Sequence, residues 1–260
     1  MNKQIKPNIP AQFVNYIGKV ISFSYPKRQG ATSEVTLLHT DKGQFVCKVA
    51  SKLKYREWLS QEAEIMKCLN EETDLPLPTY FHFVEDEDKS YLLMSLEEGV
   101  TLREALQQSP SDAEKYALIQ SFGELLQQLH KTQPPTAWIT EGNWLDTQLQ
   151  KAAYNLQNYE VDGNQELLDQ LIKHPPIRSK QVLIHGDCTI DNVLVSNGRV
   201  QTFIDLSGAA NGDPRYDIAL AIRSIKDNEA MLKAFYKGYS LQMITAEEFD
   251  YFDGGLYEFF

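Results

Sequence analysis

One stretch limits what this chain can be: Val182-Leu183-Ile184-His185-Gly186-Asp187-Cys188-Thr189-Ile190-Asp191-Asn192-Val193-Leu194-Val195. An apolar run enters it and another leaves it, each short enough to be a buried strand. The polar loop between them holds a histidine, a glycine, two aspartates and an asparagine. A turn at Asn197-Gly198 and a second short strand, Thr202-Phe203-Ile204, lead to another acidic turn, Asp205-Leu206-Ser207-Gly208. Carboxylates and amides at the ends of packed strands are held rigidly while facing open space. Magnesium needs hard oxygen ligands in strict geometry, and this arrangement supplies them.

The rest of the chain divides by pattern. Val20 to Ser24 and Glu34 to Thr40 read as strands separated by a polar loop, Tyr25 to Ser33, that carries Gly30. Asp41-Lys42-Gly43 then makes a tight hairpin into the strand Gln44 to Ala50. Lys48 interrupts that last strand. Either it faces solvent from an edge, or it is buried with an acidic partner, because a lysine is costly to bury alone. Glu57 to Asn70 has helical spacing and offers Glu62 and Glu64 as partners; Leu75-Pro76-Leu77-Pro78 ends it in an extended segment. Strands at Tyr80 to Val84 and Ser90 to Leu96 flank the acidic turn Glu85 to Asp88, expected to be solvated. Glu97-Glu98-Gly99 then breaks the pattern, so the expected boundary separates residues 1–98 from residues 99–260.

Beyond Thr101 helices dominate. Ser111 is a suitable N-cap for a helix to Lys131, closed by His130, for which a structural hydrogen bond is the expected role. Further helical patterns run from Leu145 to Asn158, Gln165 to His174, Ile218 to Ile225, Glu229 to Tyr239 and Ala246 to Phe259. The fold class is therefore α+β, a small β-rich lobe followed by a larger, mainly helical one.

Charge and cysteine content exclude several functions. A formal net charge of -11, from 25 basic and 36 acidic residues, has the wrong sign for a general nucleic-acid or anionic-membrane binder. It suits a cationic small-molecule partner as well as plain solubility. Three scattered cysteines with no C-x-x-C form neither a disulfide framework nor a zinc site. Residues 1–4 lead into polar residues and prolines, and no run reaches the length of a membrane span, so a cytoplasmic location is expected.

Asp187 and Asn192 lie five residues apart in one inter-strand loop. In phosphoryl-transfer enzymes of the kinase type, an Asp takes the acceptor's hydroxyl proton and an Asn at this spacing helps hold metal. A later Asp at a strand end holds the magnesium that bridges the phosphates, and a strand Lys paired with a helix Glu steadies them. Asp205 and Lys48 fall in the corresponding places. No G-x-x-x-x-G-K-[ST] occurs, which excludes the P-loop route to phosphate chemistry.

His185-Gly186-Asp187 with Asn192, and Ile204-Asp205 with Gly212-Asp213-Pro214 and Asp217-Ile218-Ala219, resemble the aminoglycoside phosphotransferase family. The likeness runs from the loop near Gly30 to the C-terminus. It implies a bilobal, protein-kinase-like fold, ATP or GTP as donor, and Mg2+. By position it makes Asp187 the base or orienting carboxylate and Asn192 and Asp205 the magnesium ligands. Lys48 becomes the contact to the α- and β-phosphates, with Glu62 a better partner than Glu64. Tyr91 to Glu97 resembles the hinge strand that reads the purine, through the backbone of Ser95 and Glu97 with Met94 walling the pocket. Thr32 and Ser33 lie where the phosphate-covering loop belongs. His185 is expected to brace the loop, Asp217 to tie it down, and Cys188 to pack; Asp191 is solvated or faces substrate.

The acceptor is less determined. Leu256-Tyr257-Glu258-Phe259-Phe260 resembles the end of the subgroup that phosphorylates the 3'-hydroxyl of aminoglycosides, where a terminal carboxylate and an acidic pair hold the drug. Glu258 and the Phe260 carboxylate match, but Tyr257 replaces an expected aspartate. Asp227 aligns with a second acidic pair, in which Asn228 has replaced one acid, and Glu160 adds charge from a nearby loop. The site is thus diluted in acid. The resemblance also admits the same chemistry on another small alcohol, such as a macrolide, a sugar or an amino alcohol like choline, or a nucleotide-binding pseudokinase. The intact set Lys48, Asp187, Asn192 and Asp205 counts against the last.

Overall fold

The computed structural model describes residues 9–26, 29–30 and 32–260; the extreme N-terminus and Lys27, Arg28 and Ala31 of the polar loop lie outside the described residues. The chain divides after Glu98 into two compact units.

The first unit opens with a short helix α1 (Val14–Ile17). Its sheet contains β1 (Val20–Ser24), β2 (Glu34–Thr40), β3 (Gly43–Ala50), β4 (Tyr80–Glu85) and β5 (Ser90–Ser95), with helix α2 (Leu53–Glu72) between β3 and β4. The strand order is β1-β2-β3-β5-β4, antiparallel throughout. β3 is therefore central, and Lys48 sits opposite Val35 on one neighbour and Leu92 on the other. Successive strand residues alternate in face. Phe45 and Cys47 join a core with Phe13, Ile17, Leu38, Tyr91 and Leu93, so Lys48 points the other way and is only 9% exposed. The edge-strand alternative is thereby removed.

Helix α2 buries Leu59, Glu62, Ala63, Ile65, Met66 and Leu69, the spacing of one helical face. It begins four residues before the apolar pattern does, because its polar first turn is held by pairing rather than burial. The Arg56 guanidinium donates to Glu85 Oε1 (3.0 Å) and to the Glu87 carbonyl (2.8 Å). The acidic turn expected to be solvated is thus tied to the helix.

The second unit contains β6 (Val100–Thr101), α3 (Leu102–Gln108), α4 (Asp112–Lys131), α5 (Trp144–Asn158) and α6 (Gln165–Lys173). There follow β7 (Val182–Ile184), β8 (Val193–Ser196), β9 (Arg199–Phe203), β10 (Ala210–Gly212), α7 (Pro214–Ile222), α8 (Glu229–Gly238) and α9 (Ala246–Phe252). Ser111 caps α4 as its sequence predicts, accepting from Glu114 N–H. β6, β8 and β9 form one small antiparallel sheet and β7 pairs with β10 in another. The elements depart from the periodic pattern at both ends of α7, which stops at Ile222 rather than Ile225, and at the end of α9. Helix α7 starts at Pro214 with Asp213 as its cap, since proline suits the first helical position. At the C-terminus, Gly254-Gly255 end α9 early and a 3-10 turn, Leu256–Phe259, follows. Phe252, Leu256 and Phe259 are fully buried there in a core shared with Trp144, Leu168 and Tyr216. No helix among the described residues is long and apolar enough to cross a membrane.

Candidate active site

The loop between β7 and β8 is shaped from beneath. Asp217, on the first turn of α7, accepts the backbone N–H of His185 (2.6 Å) and of Gly186 (2.8 Å). Its other contact is His130 Nε2 at 3.3 Å, and His130 Nδ1 meets the Tyr239 hydroxyl at 2.8 Å. Gly186 has φ +82°, and a Cβ there would lie 2.0 Å from the Gly208 carbonyl oxygen. Only glycine permits that approach. It brings the loop carrying Asp187 against the turn after Asp205. His185 Nε2 donates to the Ile204 carbonyl (2.9 Å), leaving Nδ1 to accept the Asp187 N–H (3.2 Å). The expected brace and tie are both present.

On this base the functional side chains converge. Asn192 Nδ2 donates to the Asp187 carbonyl (2.8 Å) and to Asp187 Oδ2 (2.7 Å). With the amide hydrogens so committed, Asn192 Oδ1 is the end of the side chain turned away from Asp187. The Asn192 carbonyl accepts from Ile204 N–H at 3.0 Å, so the residue before Asp205 is pinned to the same loop. Asp205 itself adopts φ +58°, a left-handed conformation that few non-glycine residues take and that is often met at functional sites. Burial raises the pKa of Asp187; the hydrogen bonds from Asn192 and Tyr257 oppose the rise and the neighbouring Asp205 charge adds to it. Among the described residues no cluster of three or more His, Cys, Asp and Glu is built to hold a metal. One amide oxygen and one carboxylate, both hard donors, are nevertheless the chemistry magnesium takes, with water and phosphate completing its shell.

Other residues near the loop have partners of their own. Asp191 is half-exposed, in keeping with the solvated alternative, and both its oxygens pair with Arg103, at 2.6 and 2.7 Å. Cys188 is fully buried, and its thiol pKa is pushed well above the usual value by burial, which leaves it inert as a nucleophile. Tyr257, at the position where an aspartate was expected, donates its phenolic proton to Asp187 Oδ1 at 3.3 Å. The Arg223 guanidinium stands 4.2 Å from the Tyr257 ring centre and is anchored through Nε on Asp253 at 2.6 Å. In the sequence Tyr257 stands out only as a missing acid, and nothing local marks Arg223.

The remaining acceptor candidates are dispersed. The Glu258 carbonyl accepts from Gly163 N–H at 2.8 Å, which fixes the loop after Glu160 against the C-terminal turn. Glu160 is exposed and Phe260 is 47% exposed. Asp227 is exposed and pairs with Lys226 at 3.1 Å. Asn228, in place of a second acid, caps α8 by accepting from Met231 N–H.

Within the first unit, Lys48 Nζ lies 2.6 Å from Glu62 Oε1, both side chains buried. Met94 is buried on β5, and Ser95 Oγ donates to Glu97 Oε1. The Ser95 N–H is spent on the Thr79 carbonyl (3.0 Å), so it is not the group that reads a base. Thr32 and Ser33 line a recess of about 220 Å³ with Gln29, Lys52, Tyr55 and Lys89.

A lysine on an antiparallel sheet paired with a helix glutamate, and an Asp–Asn loop beside a left-handed Asp, are the parts expected of a phosphotransferase with a kinase-like fold. The chain belongs to the phosphotransferase enzyme family, whose model matches residues 26–251. It is 31% identical over 183 residues to the aminoglycoside 3'-phosphotransferase of Enterococcus faecalis, covering 65% of this chain and 66% of that one. The match thus spans just under two thirds of that relative. A 100-residue stretch is 40% identical to the homoserine kinase of Neisseria meningitidis serogroup B, 36% of this chain and 30% of that one. Among solved structures, an aminoglycoside-3'-phosphotransferase of type VIII shares the fold, with a TM-score of 0.72 at 21% identity over 92% of this chain and 93% of that one.

Proposed function

We propose that this protein moves the terminal phosphoryl group of ATP or GTP to a hydroxyl of an aminoglycoside-like small molecule. The observation that carries the reading is the Asn192 amide closed on Asp187 at 2.7 Å, beside a left-handed Asp205. Phosphoryl transfer asks the protein mainly for positioning and charge stabilisation. Asp187 accepts the proton of the attacking hydroxyl as its oxygen bonds to phosphorus and the bond to the nucleoside diphosphate breaks. Asn192 Oδ1 and Asp205 are the residues that would hold Mg2+, which when bound neutralises phosphate charge. In the first unit Lys48, oriented by Glu62, contacts the α- and β-phosphates. Thr32 and Ser33 cover the phosphates; Met94 walls the purine, and the backbone of Ser95, through its carbonyl, and Glu97 read it. Glu160, Asp227, Glu258 and Phe260 receive a cationic acceptor.

A second reading, the same reaction on another small alcohol, is favoured by the stretch similar to a homoserine kinase and by a phenol rather than a carboxylate at position 257. Nucleotide consumption, with mass analysis of the acceptor, measured across kanamycin, erythromycin, choline and homoserine, separates the two. Phosphorylated kanamycin supports the first reading. Product from one of the others alone supports the second, and nucleotide binding without consumption contradicts both.

A further inference from the structure

The C-terminal turn delivers a hydroxyl to Asp187. Leu256 and Phe259 are fully buried and anchor the turn. Gly255 packs so closely on Tyr251 that a Cβ would lie 2.4 Å from its carbonyl oxygen. Tyr257, between the two anchors, is half-buried and donates its phenolic proton to Asp187 Oδ1 at 3.3 Å. The other carboxylate oxygen is held by Asn192 Nδ2 at 2.7 Å. The phenol thus stands to Asp187 as an attacking hydroxyl must, its proton aimed at the oxygen that Asn192 does not hold. The contact is long, as catalytic hydrogen bonds often are before the reactants bind. Burial and the adjacent Asp187 charge raise the Tyr257 pKa, so the phenol keeps its proton until a base removes it. An aspartate, expected here from the family resemblance, has no such hydroxyl to offer.

A hydroxyl on the chain itself reaches the base without the loss of translational freedom that a free acceptor suffers. We propose that, with a nucleoside triphosphate bound and no small alcohol present, the protein phosphorylates its own Tyr257. Asp187 Oδ1 takes the phenolic proton as the Tyr257 oxygen bonds to the terminal phosphorus. The bond from that phosphorus to the oxygen of the departing nucleoside diphosphate breaks. The Arg223 guanidinium, 4.2 Å from the Tyr257 ring centre and anchored on Asp253 at 2.6 Å, is the cation beside the new phosphate, a pairing that guanidinium geometry suits. This rests on Asp187 being the base, as proposed above.

The test is the mass of the peptide containing Tyr257 after the full chain is incubated with ATP or GTP and Mg2+ but no acceptor. A parallel reaction contains kanamycin, erythromycin, choline and homoserine. The peptide should become one phosphoryl group heavier at Tyr257. The rate per chain should not change on dilution, because hydroxyl and base belong to one molecule. Asp187→Asn, which keeps the shape of the side chain, should slow the labelling roughly a thousandfold. Tyr257→Phe, which keeps the ring, should leave the chain unlabelled. Label on another residue, label formed at the parent rate in Asp187→Asn, or a per-chain rate that rises with protein concentration overturns the inference. An unlabelled Tyr257 in protein that phosphorylates one of the small alcohols also overturns it, and leaves the proposed reaction standing. An unlabelled Tyr257 with no small alcohol phosphorylated overturns the inference together with the assignment of Asp187 as base.

Discussion

The loop that carries Asp187 and the segment that carries Glu258 lie in one unit but are built differently. Around Asp187 the anchors are buried main-chain bonds: Asp217 on two N–H groups, His185 on the Ile204 carbonyl, and Gly186 against Gly208. Around Glu258 the charges are side chains in solvent or in surface pairs, as with Glu160 and with Asp227 beside Lys226. Buried polar networks are costly to disturb, because each orphaned group loses its water as well as its partner. Exposed charges can be exchanged cheaply. We propose from this contrast that the reaction is held by the fold, whereas the acceptor is met by side chains on which the fold depends less.

That contrast can be broken, beginning with its largest effect. Asp187→Ala should lower single-turnover phosphoryl transfer by roughly a thousandfold, the scale of a lost general base, while nucleotide affinity measured by fluorescence titration stays near the parent value. Asp217→Ala touches no reactant. It should cost about 3 kcal/mol of unfolding free energy measured by urea titration, because two buried N–H groups are orphaned, and activity should fall with it. Stability unchanged in that variant would show that the loop holds itself. Glu62→Gln exchanges a charge-assisted bond to Lys48 for a neutral one, and should raise the nucleotide KM by roughly tenfold without changing the acceptor KM. Glu258→Gln should produce the smallest change, roughly two- to fivefold in the acceptor KM, reduced at high salt because Glu258 is only half-buried and its charge is screened. An effect of Glu258→Gln as large as that of Asp187→Ala would abolish the distinction.

The same contrast explains what could be read from the sequence. Buried strands and capped helices left local marks: Val182 to Ile184 before the loop, Ser111 ahead of α4, Asp213-Pro214 ahead of α7. Lys48 could be matched to a glutamate because a lysine in an apolar strand demands a partner. Pairings across long separations left none. Nothing local links Arg103 to Asp191, Arg56 to the Glu85–Asp88 turn, or Tyr257 to Asp187. The early end of α9 at Gly254-Gly255 was hidden by apolar residues on both sides, which suit a helix and a 3-10 turn alike. The acceptor region was hardest to read because its exposed charges obey no packing rule.

The central claim, that Asp187 with Asn192 and Asp205 moves a phosphoryl group to a small alcohol, is tested most directly by the mass of the acceptor. Purified parent protein, Mg2+ and ATP or GTP should convert an aminoglycoside or another small alcohol into a product one phosphoryl group heavier. Asp187→Ala, binding nucleotide equally well, should form it roughly a thousandfold more slowly. Product from Asp187→Ala at the parent rate, or nucleotide bound by the parent with no hydroxyl acceptor ever modified, would contradict the account.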